Sequence, residues 1–243
     1  MRIAFYGDSL TRGVPGVSFL HVLKTMLPQD ELMNLGKGGD TVVSLYRRVA
    51  RSENRRVSDL AVLWVGVNDV LATVSRGHTA LKWLMRQPCA RDLVGFREYY
   101  GRTLECLRSS AGAVLAIPPF LIGEDRSNAW NRSLEELGEA IRLVSGPLHA
   151  VKYVDLHSRL APAWSAHDPS DYIPRSVTLI GLESLFLRSP KRVDRIASRR
   201  GLQLTLDGVH LNSSGAKRVA AVIRQAIEGL RSPKDELRST DPI

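Results

Sequence analysis

The chain has 243 residues, of which 44% are hydrophobic and 24% charged, the proportions of an ordinary soluble globular protein with a sizeable core. It contains no apolar run near the roughly 18 residues that a membrane helix needs and no signal-peptide pattern, so a cytoplasmic location is the default expectation. Two cysteines, Cys89 and Cys106, are too few for a disulfide framework and are expected to be reduced, while the net charge of +9 admits an anionic partner.

Short apolar runs alternate with amphipathic stretches, which predicts parallel strands joined by right-handed helical crossovers. The predicted strands are Ile3–Tyr6, Glu31–Asn34, Leu60–Val65, Ala113–Ile117 and Val151–Val154. The predicted helices are Val17–Leu27, Thr41–Ala50, Phe96–Ser109, Asn131–Ser145 and Asn212–Leu230. This alternation of strands and helices predicts an α/β fold with three layers, α/β/α, built on a flavodoxin-like, five-stranded parallel sheet.

Two segments, about 71–95 and 156–206, are too long to be plain connections between the predicted elements. The second contains four prolines among short apolar runs. We expect both insertions to place small helices over the carboxyl ends of the strands, as lids or substrate walls. The chain is therefore predicted to form one domain over 1–230, followed by a polar tail, 231–243, that frays.

The first motif, Gly7-Asp8-Ser9-Leu10, directly follows the first predicted strand. A serine at a strand-to-helix turn projects its hydroxyl from the carboxyl edge of the sheet, where α/β proteins bind their ligands. Its own backbone N–H lies near a helix N-terminus, which favours a developing negative charge. Taken alone, the motif is better explained as a turn whose Asp8 or Ser9 caps the next helix.

Two further motifs follow the second and third predicted strands. The segment Asn34–Thr41 is rich in glycine, whose missing side chain lets a backbone N–H approach a ligand closely, although the segment taken alone is better explained as a flexible turn. In the sequence Gly-Val-Asn-Asp at 66–69, the amide of Asn68 can donate to an oxyanion or close an Asx turn. Neither a dinucleotide-binding nor a Walker motif is present.

The fourth motif, Asp207-Gly208-Val209-His210, stands just before the last predicted helix. A carboxylate three residues before a histidine can reach its imidazole, fix its tautomer and stabilise the imidazolium. Histidine is the usual base for a serine because it titrates near neutrality. A surface loop or capping pair explains such a motif when it stands alone. Together, however, the four motifs supply a nucleophile, a base, an orienting acid and oxyanion donors at one edge of the sheet.

In the order and spacing of these four blocks, the sequence resembles the SGNH, or GDSL-type, hydrolase family. The resemblance extends from the first predicted strand to the last predicted helix, and it leaves the insertions 71–95 and 156–206 uncovered. It implies that Ser9 is the nucleophile of an esterase or acylhydrolase, that His210 is its base, and that Asp207 orients His210.

The resemblance also implies an oxyanion hole made by the backbone N–H groups of Ser9 and Gly39 and by the side-chain amide of Asn68. Gly39 is preferred to its neighbour because it directly precedes Asp40, as in the family block. Asp8 is expected to support the turn structurally. No metal and no organic cofactor is required by this machinery.

Other acid–histidine groupings carry weaker signals. Asp155 and His157 lie two residues apart where the chain leaves the fifth strand, and Asp155 is expected to buttress local structure. A loose set of His167, Asp168 and Asp171 lacks the spacing of a metal site and predicts a solvated loop. Aromatic side chains in the insertions are expected either to line an acyl or sugar pocket or to anchor the insertions; they are Trp83, Trp164 and Phe186.

The expected function is therefore hydrolysis of a small or lipid-like ester through an acyl-enzyme intermediate. A carbohydrate O-deacetylase or a thioesterase uses the same machinery, and the sequence leaves the choice open. A non-enzymatic alternative is a module that binds anionic ligands or nucleic acid, since fold alone does not fix function. The expected partner is a small-molecule ester, with neither nucleic acid nor a membrane span, and the oligomeric state stays open.

Overall fold

The computed structural model describes residues 1–51, 58–74, 87–164, 170, 172, 187 and 189–231, with the side chains of 73, 74 and 161–164 excepted. The strands are β1 Arg2–Gly7, β2 Glu31–Gly36, β3 Ser58–Trp64, β4 Ala111–Ile117 and β5 Val151–Tyr153. The helices are α1 Ser9–Arg12, α2 Phe19–Met26, α3 Val42–Ala50, α4 Val67–Val74, α5 Leu93–Arg108, α6 Ala129–Ser145, α7 Leu156–Trp164, α8 Pro190–Arg199 and α9 Ser213–Arg231.

The five strands form one sheet in the order β2-β1-β3-β4-β5, and every neighbouring pair is parallel. This order places a topological switch point between β1 and β3, where the connections leave toward opposite sides of the sheet. The predicted flavodoxin-like, five-stranded parallel sheet is thus confirmed.

The sheet is covered on both faces, as its strand sequences require. Along β3, Leu60, Val62 and Trp64 face one core cluster, whereas Ala61 and Leu63 face the other. Because side chains alternate along a strand, only a sheet buried on both sides makes such a run apolar throughout. Helices α2 and α9 contribute to the first cluster, α3 and α5 to the second, and α6 to both, which gives the three predicted layers.

Several helices begin at side chains that suit a helix N-terminus. Ser18 accepts a hydrogen bond from the N–H of His21 at the start of α2, and Thr41 and Ser44 form a capping box at the start of α3. Asp92 and Asn128 cap α5 and α6 in the same way. Such caps satisfy N–H groups that the helix itself leaves unpaired, so they fix where each crossover begins.

The predicted insertions are described only in part. Within 156–206 lie α7 and α8, and the buried side chains of Leu187, Val193 and Leu206 form a small third core cluster there. Helix α8 is strongly amphipathic: its basic residues are exposed, and Val193 and Ala197 are buried. In the described part of the chain, no helix combines the length and the apolarity that crossing a membrane requires.

Candidate active site

Three of the motifs meet at the carboxyl edge of the sheet because the strands before them end in register. Gly7 at the end of β1 pairs with Gly36 at the end of β2 and with Trp64 at the end of β3. The residues that follow these three positions are therefore neighbours in space. This edge, at the switch point between β1 and β3, is where doubly wound α/β proteins form their ligand crevice.

Ser9 is the first residue of α1 and is partly exposed. The buried carboxylate of Asp8 caps this helix by accepting the N–H of Leu10 at 2.9 Å, which is the structural role expected of it. A side chain at Gly7 would stand 2.2 Å from both the Trp64 carbonyl oxygen and the Thr11 hydroxyl. The close approach of β3 thus requires glycine directly before the turn that presents Ser9.

Ser9, His210 and Asp207 form one continuous hydrogen-bonded chain. Nε2 of His210 lies 2.9 Å from Oγ of Ser9, and Nδ1 of His210 lies 2.7 Å from Oδ2 of Asp207. Ser9 and His210 are 201 positions apart in sequence, so the fold brings them together. In this arrangement His210 can take the proton of the Ser9 hydroxyl while Asp207 holds the imidazole in the required tautomer.

Asp207 is surrounded by groups that keep it charged. Burial raises the pKa of the Asp207 carboxyl, but the facing His210 and hydrogen bonds from His210 and Val209 outweigh this and lower the pKa below its usual value. Its Oδ1 accepts the backbone N–H of Val209 at 3.0 Å and of His210 at 2.8 Å. Asp207 therefore stays ionised at neutral pH and can stabilise an imidazolium.

Glu124, which follows β4, binds the loop that carries Asp207, and no sequence motif predicted this role. Its carboxylate is 3% exposed, and it accepts N–H groups of Gln203, Leu204 and Thr205 at 2.7 to 2.8 Å and the Thr205 hydroxyl at 2.7 Å. The Thr205 hydroxyl in turn accepts the N–H of Gly208. A lone loop glutamate resembles any solvated acid in a sequence, because its partners lie 79 to 81 positions away.

Asn68 stands at the start of α4 and is almost fully buried. Its side-chain nitrogen lies 3.0 Å from the carbonyl oxygen of Asp40 and 3.4 Å from Oδ2 of Asp8. These contacts tie the motif after β3 to the motifs after β1 and β2. The side-chain amide is therefore held between the Ser9 turn and the glycine-rich segment.

The glycine-rich segment forms a tight turn closed by a hydrogen bond from the N–H of Asp40 to the carbonyl of Lys37, at 3.1 Å. Gly39 has a φ of +78°, a left-handed conformation that favours glycine. Beyond the turn, Arg48 donates from Nε and Nη2 to the buried carboxylate of Asp40 at 3.0 and 2.9 Å. This ion pair attaches the turn to α3.

The second acid–histidine grouping, Asp155 and His157, does not resemble a catalytic pair. Asp155 accepts the N–H and the hydroxyl of Ser158 at 2.9 and 2.7 Å, so it caps the first turn of α7, as expected. Burial lowers the pKa of His157. Within the described residues, neither Cys89 nor Cys106 takes part in a disulfide bond. The set of His167, Asp168 and Asp171 lies outside the described residues, as do Trp83, Phe186 and the side chain of Trp164.

The sequence profile of the GDSL-like lipase/acylhydrolase family matches residues 5–218. The match covers all four motifs, and the chain belongs to this family. It is accordingly an enzyme of the esterase and acylhydrolase class, as its sequence predicts. A search of curated proteins found no match.

Three solved structures of similar fold are those of hydrolytic enzymes. An α/β hydrolase named LAE5, from the metagenome of Lake Arreo, Spain, superposes with a TM-score of 0.66 at 17% identity, covering 95% of this chain and 96% of that one. The acetylxylan esterase Axe2 of Geobacillus stearothermophilus gives a TM-score of 0.65 at 16% identity, with 93% of each chain covered. The acetyl xylan esterase AlAXEase gives 0.63 at 24% identity, covering 93% of this chain and all of that one (100%). At these identities the likeness concerns the fold.

Proposed function

We propose that the protein hydrolyses a carboxylic ester through an acyl-enzyme intermediate on Ser9. The hydrogen-bonded chain from Ser9 through His210 to Asp207, with distances of 2.9 and 2.7 Å, carries this proposal. A nucleophile, its base and the group that orients the base stand within reach of one another before any substrate binds. A module that only binds anionic ligands has no need of this arrangement.

In the first step, Oγ of Ser9 attacks the ester carbonyl and its proton passes to Nε2 of His210. The negative charge that develops on the carbonyl oxygen is met by the N–H groups of Ser9 and Gly39 and by the amide of Asn68. The Asn68 amide keeps its 3.0 Å bond to the Asp40 carbonyl and exchanges its longer 3.4 Å contact with Asp8 for the oxyanion. Collapse of the tetrahedral intermediate breaks the ester bond, and His210 returns the proton to the departing alcohol. Oxyanion donors of this kind each contribute roughly 10²–10³ in turnover.

In the second step, a water molecule attacks the acyl-enzyme while His210 accepts its proton. The same donors hold the second oxyanion, and collapse releases the carboxylic acid and restores the Ser9 hydroxyl. Asp207 stays ionised throughout and stabilises the imidazolium in both steps. All bonds made and broken involve only substrate, water and these side chains.

A carbohydrate O-acetyl ester is the second candidate substrate, beside a small or lipid-like ester. Two of the similar folds belong to acetylxylan esterases, which favours a short acyl group on a sugar. The partly exposed position of Ser9 gives a bulky alcohol group room outside the catalytic residues. A thioester remains chemically equivalent for this machinery.

Hydrolysis of p-nitrophenyl esters from acetate to decanoate, by wild type and by Ser9→Ala, tests the proposal. We expect wild-type turnover and its loss in Ser9→Ala, because the remaining groups lack a nucleophile. Ser198→Ala, at an exposed position on α8, is the matched control and should keep full activity. Activity that survives in folded Ser9→Ala contradicts the proposal, and release of acetate from acetylated xylo-oligosaccharide supports the second candidate.

A further inference from the structure

The glycine-rich turn holds a candidate oxyanion donor in a peptide unit that can rotate. The carbonyl of Gly38 and the N–H of Gly39 belong to the same peptide, which is the central one of the turn from Lys37 to Asp40. The φ of Gly39 is +78°, whereas the φ of Gly38 is not positive. This combination matches a type II turn. Type I differs mainly by a rotation of this central peptide through about 150–170°.

Nothing in the turn itself selects between these two orientations. Glycine populates positive and negative φ about equally well, so two adjacent glycines let the central peptide turn over easily. The peptide is planar and trans, so its N–H and its carbonyl point in opposite directions. In the oxyanion hole proposed above, turning it over would aim the Gly39 N–H away from the oxyanion.

Gln87 contacts this peptide from a distant part of the chain. Its Nε2 donates to the carbonyl of Gly38 at 2.9 Å, and the side chain is 3% exposed. A Cβ at Gly39 would stand 2.5 Å from Oε1 of Gln87, so Gln87 reaches the peptide only because residue 39 is glycine. The next residue is attached as well, since the Thr41 hydroxyl donates to the carbonyl of Pro88 at 2.5 Å.

The chemistry of the Gln87 side chain points to orientation rather than to packing alone. Its Oε1 is buried and has no hydrogen-bond partner among the described residues. A methionine or leucine would fill a similar space without burying an unpaired acceptor, which is costly. The atom that accounts for a glutamine at this position is therefore the donor Nε2, which hydrogen-bonds to the Gly38 carbonyl.

We propose that Gln87 is a positioning residue for ester hydrolysis: by holding the Gly38 carbonyl, it fixes the Gly38–Gly39 peptide with the Gly39 N–H directed at the oxyanion. This inference rests on the function proposed above. Gln87 touches neither substrate nor reacting atoms in this account. It acts on the transition state alone, because the charge on the carbonyl oxygen develops only there.

The test compares wild type with Gln87→Met, which keeps the size of the side chain and removes its donor. Active sites are counted with a fluorophosphonate label, and kcat and KM for p-nitrophenyl acetate are measured per labelled site. We expect kcat to fall about 10- to 10²-fold, less than the loss of a whole oxyanion donor, with KM within about twofold. The inhibition constant of a trifluoromethyl ketone, whose adduct carries an oxyanion, should rise in parallel.

Gln225→Met is the matched control, because Gln225 is exposed on α9, and its kinetics should equal those of wild type. Should Gln87→Met not fold, Gln87→Leu tests the same bond, since its apolar side chain also lacks the donor. A merely structural role lowers the melting temperature or the number of labelled sites and leaves kcat per site and the inhibition constant unchanged. That result overturns the inference, whereas activity surviving in Ser9→Ala overturns the proposed function itself.

Discussion

At the scale of single residues, Asp207 shows how burial and hydrogen bonding act in opposite directions on one group. Burial by itself raises the pKa of this carboxyl, yet His210 and two backbone N–H groups lower it. An ionised carboxylate at Nδ1 leaves Nε2 of His210 as the acceptor for the Ser9 proton. The charge of Asp207 therefore decides which tautomer of His210 faces Ser9, the proposed nucleophile.

Asp207→Asn should leave the fold intact and remove most of the activity. An amide can orient the imidazole wrongly and cannot stabilise its charged form, so we expect kcat to fall by on the order of 10⁴-fold, as the same change does in another serine hydrolase. KM should change little. Steady-state kinetics with p-nitrophenyl acetate measure both values. A variant within tenfold of the wild-type kcat would contradict the role of Asp207.

The same variant has a consequence for stability in acid. Because the folded-state pKa of Asp207 is lowered, ionisation of Asp207 stabilises the fold above about pH 4 and loses this effect as pH falls through the folded-state pKa. The free energy of unfolding should therefore decline less steeply below pH 4 in Asp207→Asn than in wild type. Urea titrations at several pH values measure this slope. Asp59→Asn, exposed at the opposite end of β3, is the control.

At the scale of secondary-structure elements, the buried apolar strands were the features that the sequence predicted best. The apolar pattern of Leu60–Val65 identified β3 because parallel strands are buried on both faces. Helix α4 was missed, because Gly66 to Asp69 also fits a polar turn and the residues after it were assigned to an insertion. Helix α1 was anticipated only as the helix that the Ser9 turn would begin.

The roles of Glu124 and Gln87 were not predicted from the sequence, because both depend on how separate segments pack together. Each acts by binding backbone groups of a segment 49 or more positions away. Sequence motifs report what neighbouring residues can do together, whereas these contacts exist only after two loops meet at the sheet edge. Contacts among the motif residues, such as that of Ser9 with His210, could therefore be predicted, whereas the contacts of Glu124 and Gln87 could not.

Glu124→Gln should loosen the loop that carries Asp207. If the amide keeps Oε1 toward Leu204 and Thr205, its nitrogen faces the N–H of Gln203 where an acceptor stood. We expect unfolding free energy to fall by about 1.5–3 kcal/mol, the range for one hydrogen bond to a charged group. Turnover should fall by up to about 10²-fold, as expected for small misplacements of catalytic groups. Urea denaturation and steady-state kinetics measure the two effects.

Glu228→Gln is the matched control for this change. Glu228 faces Arg224 across 3.6 Å on the exposed side of α9, and such exposed pairs contribute about 0.3–0.5 kcal/mol. Its stability and turnover should stay close to those of wild type. Equal effects of the two substitutions would contradict a special role for Glu124.

At the scale of the whole molecule, the central sheet joins the two large core clusters. Strands β3 and β4 each supply side chains to both clusters, with Val62 and Leu115 on one face and Leu63 and Val114 on the other. Neither layer of helices can separate without exposing one face of strands whose opposite face forms the core of the other layer. This arrangement supports the prediction that 1–230 is one domain.

Differential scanning calorimetry tests that prediction. One domain should unfold in one transition whose calorimetric enthalpy equals its van't Hoff enthalpy. Two resolved transitions, or a calorimetric enthalpy well above the van't Hoff value, would indicate two independent units and contradict it.

The central claim is that Ser9 is the nucleophile, and covalent trapping tests it most directly. The protein is incubated with a fluorophosphonate, digested, and the modified peptide is located by mass spectrometry while residual ester hydrolysis is measured. We predict one adduct per chain, on Ser9, with activity lost in proportion to labelling. Full hydrolytic activity after complete labelling of Ser9, or loss of activity with the adduct on another residue, would contradict the account.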